Sequence, residues 1–226
     1  PSYNEEGNIS ELYKQISESI SSFTNYNFSY LFIENGSTDN TYSELLKLTK
    51  LDKNVIFLKL SRNFKMDGAI AAGISTVDSD AAIIMTANLQ DDPKVIKEFI
   101  KKWEQGYEHI YGIVKSRPGK SIIRKFNSKL FYKLVNKFSD SLIPENVSDY
   151  RLIDRKVLNA VKELTEVNRF YRGFFSWVGF NSVGVEFDRQ KRYSGTSHAK
   201  TLPVLSFAIR GILAFSILSS KIKCVL

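Results

Sequence analysis

One cysteine, Cys224, is present in 226 residues, so no disulfide can form within the chain. No group of cysteines and histidines has zinc spacing either, and the composition suits a reducing compartment. The usual glycine signatures for phosphates are missing. Neither G-x-G-x-x-G after a strand nor G-x-x-x-x-G-K-[ST] occurs, and G-x-S-x-G and H-E-x-x-H are also absent. These absences remove the sequence support for dehydrogenases, P-loop enzymes, α/β-hydrolases and zinc proteases. No apolar run reaches the roughly 20 residues that span a bilayer; toward the C-terminus the longest charge-free piece is Gly211 to Ser220. The two histidines, His109 and His198, stand apart, and packing or solvation accounts for each better than catalysis does.

Acid is missing from two segments. From His109 to Ser139 there are eight basic residues and no acid, and from Arg189 to Leu226 seven basic residues and no acid. The chain as a whole carries 32 Lys and Arg against 24 Asp and Glu, a net +8, so everything outside these two blocks has a net charge of −7. A chain polarised in this way calls for an anionic partner. Nucleic acid is a poor candidate, because no recognition module is legible and the basic residues alternate with apolar ones.

What is present reads as strand and helix in alternation. Compact apolar runs at Phe28 to Ile33, Val55 to Leu60, Ala81 to Thr86 and His109 to Val114 predict strands, with a further one at Val183 to Phe187. Between them Asn8 caps a helix with Ile9, Leu12, Tyr13, Ile16 and Ile20 on one face, and shorter helices are expected at Tyr42 to Thr49 and Asp67 to Thr76. Asp92, Pro93 and Gly106 start and stop a helix over Pro93 to Gln105. The expected fold is α/β: a mostly parallel sheet flanked by helices. The chain opens on a loop, Pro1 to Glu6, that leads straight into a helix, so the first strand is expected to be missing and the sequence to be part of a longer one. A helical pattern with a lysine stripe follows Ser121, then a loop around Pro144, a helix near Ile153 to Leu164 and an aromatic stretch from Phe170 to Phe180. Residues 1–200 read as one domain and 201–226 as an amphipathic interfacial segment, with Arg210, Lys221 and Lys223 reaching for headgroups. A buried terminal helix is the alternative for that segment.

Three polar clusters fall at the carboxyl ends of successive predicted strands, where open α/β sheets bind ligands. They are Glu34-Asn35-Gly36-Ser37-Thr38-Asp39, Ser61-Arg62-Asn63-Phe64 and Thr86-Ala87-Asn88-Leu89-Gln90-Asp91-Asp92-Pro93. Any one of them alone is an ordinary loop and cap; three together indicate a site.

In order along the chain, PSYNEEGNI, ENGSTDNT, SRNF followed by AIAAGI, ANLQDDP, W-x-x-G-Y-x-x-x-Y-G, SDYRLIDRKV, RFYRGFFSWVGF and R-Y-S-G-T-S resemble the motifs of family 2 glycosyltransferases with a GT-A fold. The nearest branch is the polyprenyl-phosphate glycosyltransferases. That resemblance implies transfer of a sugar from a nucleoside diphosphate to the phosphate of a membrane polyprenol, with inversion, at the cytoplasmic face of a membrane, the bacterial inner membrane, to which the full-length protein is anchored. It implies that Pro1, Tyr3, Glu5, Glu34, Asn35 and Asn88 contact the nucleotide sugar, and that Lys115, Arg117, Arg124, Ser128 and Arg192 hold phosphates. It also places Asn88, Gln90 and Asp91 where relatives bind Mg²⁺ or Mn²⁺, and Asp149 where they carry a base or acceptor-orienting carboxylate.

The chain departs from that pattern in three carboxylates. The usual D-x-D is Thr86-Ala87-Asn88, and Asn35 stands for a further Asp. Neutral oxygens hold hard cations much less strongly, so the metal is expected to bind weakly, or Lys and Arg to replace it, or transfer to have been lost. A polyprenyl phosphate is mostly dianionic at neutral pH, its second pKa being about 6, which favours Asp149 as an orienting carboxylate over an obligatory base. A capping Asp before a helix is its structural alternative. A glycan acceptor, or a silent nucleotide-sugar-binding protein, are the alternative functions. A homo-oligomer stays open.

Overall fold

The computed structural model describes residues 1–116, 146–164 and 170–194. Its elements are α1 (Ile9–Ile20), β1 (Tyr30–Glu34), α2 (Thr41–Leu51), β2 (Val55–Lys59), α3 (Lys65–Thr76), β3 (Ala81–Ile84), a 3₁₀ turn (Pro93–Val95) leading into α4 (Ile96–Glu104), β4 (His109–Ser116), β5 (Val147–Asp154), α5 (Arg155–Lys162), α6 (Tyr171–Trp177) and β6 (Ser182–Asp188). The strand-and-helix alternation expected from the sequence is present, and the class is α/β.

The strands form two sheets, a parallel pair and a mixed four-stranded sheet, where one mostly parallel sheet was expected. β1 and β2 run parallel, and β4 and β6 run parallel. β5 lies antiparallel between β3 and β4, giving the order β3-β5-β4-β6. The helix expected near Ile153 to Leu164 is present as α5 but starts two residues later, after β5, and the loop expected around Pro144 lies outside the described residues. Val147-Ser148-Asp149-Tyr150-Arg151-Leu152-Ile153-Asp154 carries too many charges to look like an interior strand, yet six of its eight positions are buried. Asp154, not Asp149, caps the following helix, its side chain accepting from the Lys156 amide.

Alternation along β5 decides which residues face which layer. Tyr150 and Leu152 join the cluster of Phe99, Ile100, Ile110 and Phe187 under α4. Ile153 joins Ile70, Ile74, Val157, Val161, Phe174 and Phe175 between α3, α5 and α6. With a period of two, Asp149 and Arg151 share the Ile153 face and so look toward α6.

Pro1 and Ser2 lie between the two sheets. The Ser2 amide donates to Ile33 O at 2.9 Å, the Asn35 amide to Ser2 O at 2.9 Å, and the Ala87 amide to Pro1 O at 3.1 Å. Behind them an apolar cleft of about 860 Å³ separates β1 from β3, lined by Phe32, Ile33, Ile70, Ala82 and Ile84. Asn8 occupies the N-cap position of α1 without capping it; its side-chain amide instead donates to Glu5 and, at 3.4 Å, to Ser194 O. Among the described residues no helix is long and apolar enough to cross a membrane. The helical pattern after Ser121, His198 and the 201–226 segment lie outside the described residues.

Candidate active site

The three polar clusters meet at one edge of the molecule. The N-terminal loop and the Glu34–Asn40 loop are laced together: the Asn4 amide donates to Ser37 Oγ at 3.1 Å, Thr38 N to Asn4 Oδ1 at 2.8 Å, Glu5 N to Thr41 Oγ1 at 2.8 Å and Asn40 N to Glu6 Oε2 at 2.9 Å. Tyr3 is half-buried in the same loop. Glu34 is buried at the end of β1; Oε1 accepts from the Ser37 amide at 2.6 Å, while Oε2 has no hydrogen-bond partner. A buried carboxylate oxygen without a donor is costly, and a ligand N–H or O–H is a natural way to satisfy it.

Asn35 is committed elsewhere. Its Nδ2 donates to Asn63 Oδ1 at 3.3 Å and Lys65 O at 3.1 Å, and its Oδ1 accepts from Phe64 N at 2.9 Å. An amide can donate and accept at once, as this loop requires; a carboxylate could not serve the two acceptors. Gly36 follows with φ +70°, and a Cβ there would lie 2.5 Å from the backbone carbon of Arg62, so the two loops touch through a position only glycine fills.

The third cluster is a chain of neutral groups ending on one carboxylate. Thr86 Oγ1 donates to Asn88 Oδ1 at 3.0 Å and lies 3.2 Å from Asp91 Oδ2; Asn88 Nδ2 donates to Gln90 Oε1 at 3.2 Å. Between them Leu89 is buried with φ +55°, a conformation rare for a branched side chain. Asp91 is fully buried and takes two hydrogen bonds from Arg189, at 2.9 and 3.2 Å. Burial pushes the Asp91 carboxyl up, and the Arg189 guanidinium opposes that rise.

Asp149 stands beside this chain. In the β3–β5 register Ile84 faces Arg151, so two residues further on Thr86 comes level with Asp149. Arg172 of α6 grips both carboxylate oxygens, at 3.1 and 2.8 Å. Burial alone would raise the pKa of Asp149; the charges of Arg172, Arg151 and Arg189 outweigh it and hold the carboxyl below its ordinary value. Arg151 itself is buried, donates to Ser148 O at 2.8 Å and lies 4.6 Å over the Phe175 ring. With both oxygens held by an arginine inside a strand, Asp149 is not a helix cap.

Past β6 the chain crosses the site. Gln190 N donates to Gln90 O at 2.9 Å, and Arg192 reaches Glu5 at 3.4 Å. Three arginine–carboxylate pairs therefore line one edge: Arg192 with Glu5, Arg189 with Asp91, and Arg172 with Asp149. Of the phosphate-binding candidates, Arg192 is brought here. Lys115 instead pairs with Glu186 at 3.2 Å, both well exposed, while Arg117, Arg124 and Ser128 lie outside the described residues. Sequence reading did not assign Arg172 or Arg189 to particular partners. Arg172 had a signal, being the one charge in the otherwise uncharged helix YRGFFSW.

The donor set does not suit Mg²⁺ or Mn²⁺. Asn88 and Gln90 contribute neutral oxygens already bonded within the cluster, and both oxygens of Asp91 are engaged by Arg189. Among the described residues no three Asp, Glu, His or Cys side chains come together as metal ligands. Hard divalent cations favour charged oxygens.

Known proteins similar to this chain are glycosyltransferases. An uncharacterized glycosyltransferase of Synechocystis is 36% identical over 222 residues, covering 98% of this chain and 70% of that protein. The bactoprenol glucosyl transferase of Shigella phage SfV is 35% identical over 216 residues, 96% of this chain and 70% of that protein. Glucosyl-3-phosphoglycerate synthase from Mycobacterium tuberculosis, solved with Mn²⁺ and UDP-glucose, superposes with a TM-score of 0.61 over 96% of this chain and 77% of that one, at 13% identity, and shares the fold. This chain spans about two thirds of the length of its sequence relatives. The description of glycosyl transferase family 2 matches residues 1–162, and the chain belongs to that family.

Proposed function

We propose that this glycosyltransferase moves a sugar from a nucleoside diphosphate donor to the phosphate of a membrane polyprenol, with inversion at the anomeric carbon. The observation that carries the reading is the row of three arginines, Arg172, Arg189 and Arg192, along the strand ends beside Asp149. Both reactants present phosphates, and guanidinium groups bind phosphate oxygens in a fixed, forked geometry. The likeness to the phage bactoprenol glucosyl transferase over 96% of the chain supports the choice of acceptor.

In this reading Tyr3, Glu5, Glu34 and Asn88 form the nucleotide side of the site, with Pro1 and Asn35 holding its loops. An oxygen of the acceptor phosphate attacks the anomeric carbon as the bond from that carbon to the donor's diphosphate oxygen breaks; the electron pair leaves with the nucleoside diphosphate. Positive charge facing that leaving group stabilises the transition state as charge builds on it. The acceptor phosphate enters already ionised, so no proton need be removed, and Asp149, held ionised by Arg172, orients the acceptor side.

The reaction takes place at a membrane surface, on the cytoplasmic face, with the longer protein anchored there. Incubating the full-length protein with membranes, polyprenyl phosphate and a panel of labelled nucleotide sugars yields a lipid-linked sugar. Transfer to a water-soluble glycan without lipid would replace this acceptor with a glycan, and no product with any donor would sink the reading.

A further inference from the structure

We infer that this site holds the donor's diphosphate without a divalent cation, the positive charge coming from the Arg189–Ser194 segment. The inference rests on the nucleotide-sugar reading above and concerns the same site.

A cation placed at Asn88 and Gln90 needs at least one carboxylate, and the adjacent one is Asp91. That carboxylate is fully buried and gripped at two points by Arg189, with Thr86 Oγ1 at 3.2 Å. Drawing Asp91 onto a metal would strip Arg189 of its partner and set a guanidinium beside a divalent cation, which is strongly unfavourable where solvent is excluded. Thr86 and Asn88 cannot compensate, since neither carries charge and each already bonds within the cluster. Asp149 and Glu5 are likewise paired, with Arg172 and Arg192.

The same pairing makes the segment an anion site. A guanidinium has five N–H donors, more than Asp91 accepts, so Arg189 can keep its carboxylate and still bond a phosphate oxygen. Arg192, paired with Glu5 at 3.4 Å, has the same surplus of N–H donors to offer the diphosphate. The segment is anchored across the site by the Gln190 amide on Gln90 O and by Gln190 Nε2 on Asp92 Oδ2, both at 2.9 Å. Arg189 is therefore fixed over the cluster that would otherwise carry metal, and Arg192 follows on the same segment beside Glu5.

Two measurements on the full-length protein test this. Calorimetric titration with UDP and with GDP in EDTA gives an affinity that saturating Mn²⁺ changes by no more than about twofold, while Arg192→Gln weakens it by about tenfold or more. The electron paramagnetic resonance signal of free Mn²⁺ is not depleted by the protein, with or without UDP. The triple variant Thr86→Asp/Asn88→Asp/Arg189→Gln depletes that signal. Nucleotide affinity that rises tenfold with Mn²⁺ in the wild type, together with loss of the free Mn²⁺ signal, overturns the cation-free site and leaves the donor reading standing. Failure to bind UDP or GDP under either condition overturns both.

Discussion

Asp149 shows how a residue's role follows from what surrounds it. Its carboxyl is held below the ordinary value by arginine charges that outweigh its burial, so it stays ionised across the neutral range and is a poor proton acceptor. The acidic limb of the pH–rate profile should then follow the acceptor phosphate, near its second pKa of about 6, and Arg172→Gln should lower kcat by about 10²-fold through misplacement of Asp149 without moving that limb. A limb that shifts with the variant would make Asp149 the titrating base. His109 offers a separate test. It is buried beside Arg151, and burial, aided by that charge, lowers its pKa to about 3. Its folded pKa thus lies below the ordinary 6.5, so the unfolded chain takes up a proton that the folded chain refuses. Stability is full above about pH 6.5 and falls as pH drops toward 3, by up to about 1.4 kcal/mol per pH unit. Urea denaturation between pH 6.5 and 5 should show that slope in the wild type and a flatter one in His109→Gln; equal slopes would place the titration elsewhere.

At the scale of elements, β5 organises the site and is also the part the sequence concealed. The outer elements were legible because each obeys one period: α1 buries Ile9, Leu12 and Ile20, and Asp92 and Pro93 mark the start of the fourth helix. That start is a 3₁₀ turn, with α4 proper beginning at Ile96. β5 obeys two demands at once, apolar packing through Tyr150, Leu152 and Ile153 and charge placement through Asp149 and Arg151, so its pattern reads as neither strand nor helix. Its neighbours are closely fitted. A Cβ on Gly112 of β4 would lie 2.6 Å from the Phe187 ring, which packs edge-on against Tyr150 at 5.7 Å. Gly112→Ala should therefore cost about 1–3 kcal/mol and lower Tm by about 5 °C, measured by thermal unfolding. An unchanged Tm would mean that Phe187 has room to move aside. The arginines of the site were hidden for a related reason: Arg172 sits in an aromatic helix and Arg189 just past a strand, and only packing brings them to Asp149 and Asp91.

For the whole molecule the question is where the excess positive charge goes. Within the site, Arg192, Arg189 and Arg172 are balanced by Glu5, Asp91 and Asp149, so the excess lies elsewhere in the chain. The basic and apolar residues of 201–226 are a separate matter, read from sequence as an interfacial segment. Co-sedimentation with vesicles should show a preference for anionic lipid that falls with salt and vanishes on deleting residues 202–226; undiminished binding of the shortened protein would assign membrane contact to another surface. By itself the sequence determined the α/β class, most of the helices and strands and the identity of the polar clusters at strand ends, because these depend on local periodicity and on short runs of turn and cap residues. The tertiary structure alone decided the antiparallel insertion of β5, the commitment of Asn35 to its neighbouring loop, and the pairing of Glu5, Asp91 and Asp149 with arginines. Those pairs join residues 23, 98 and 187 positions apart, and no local pattern specifies a partner that only the packing of separate elements brings within reach.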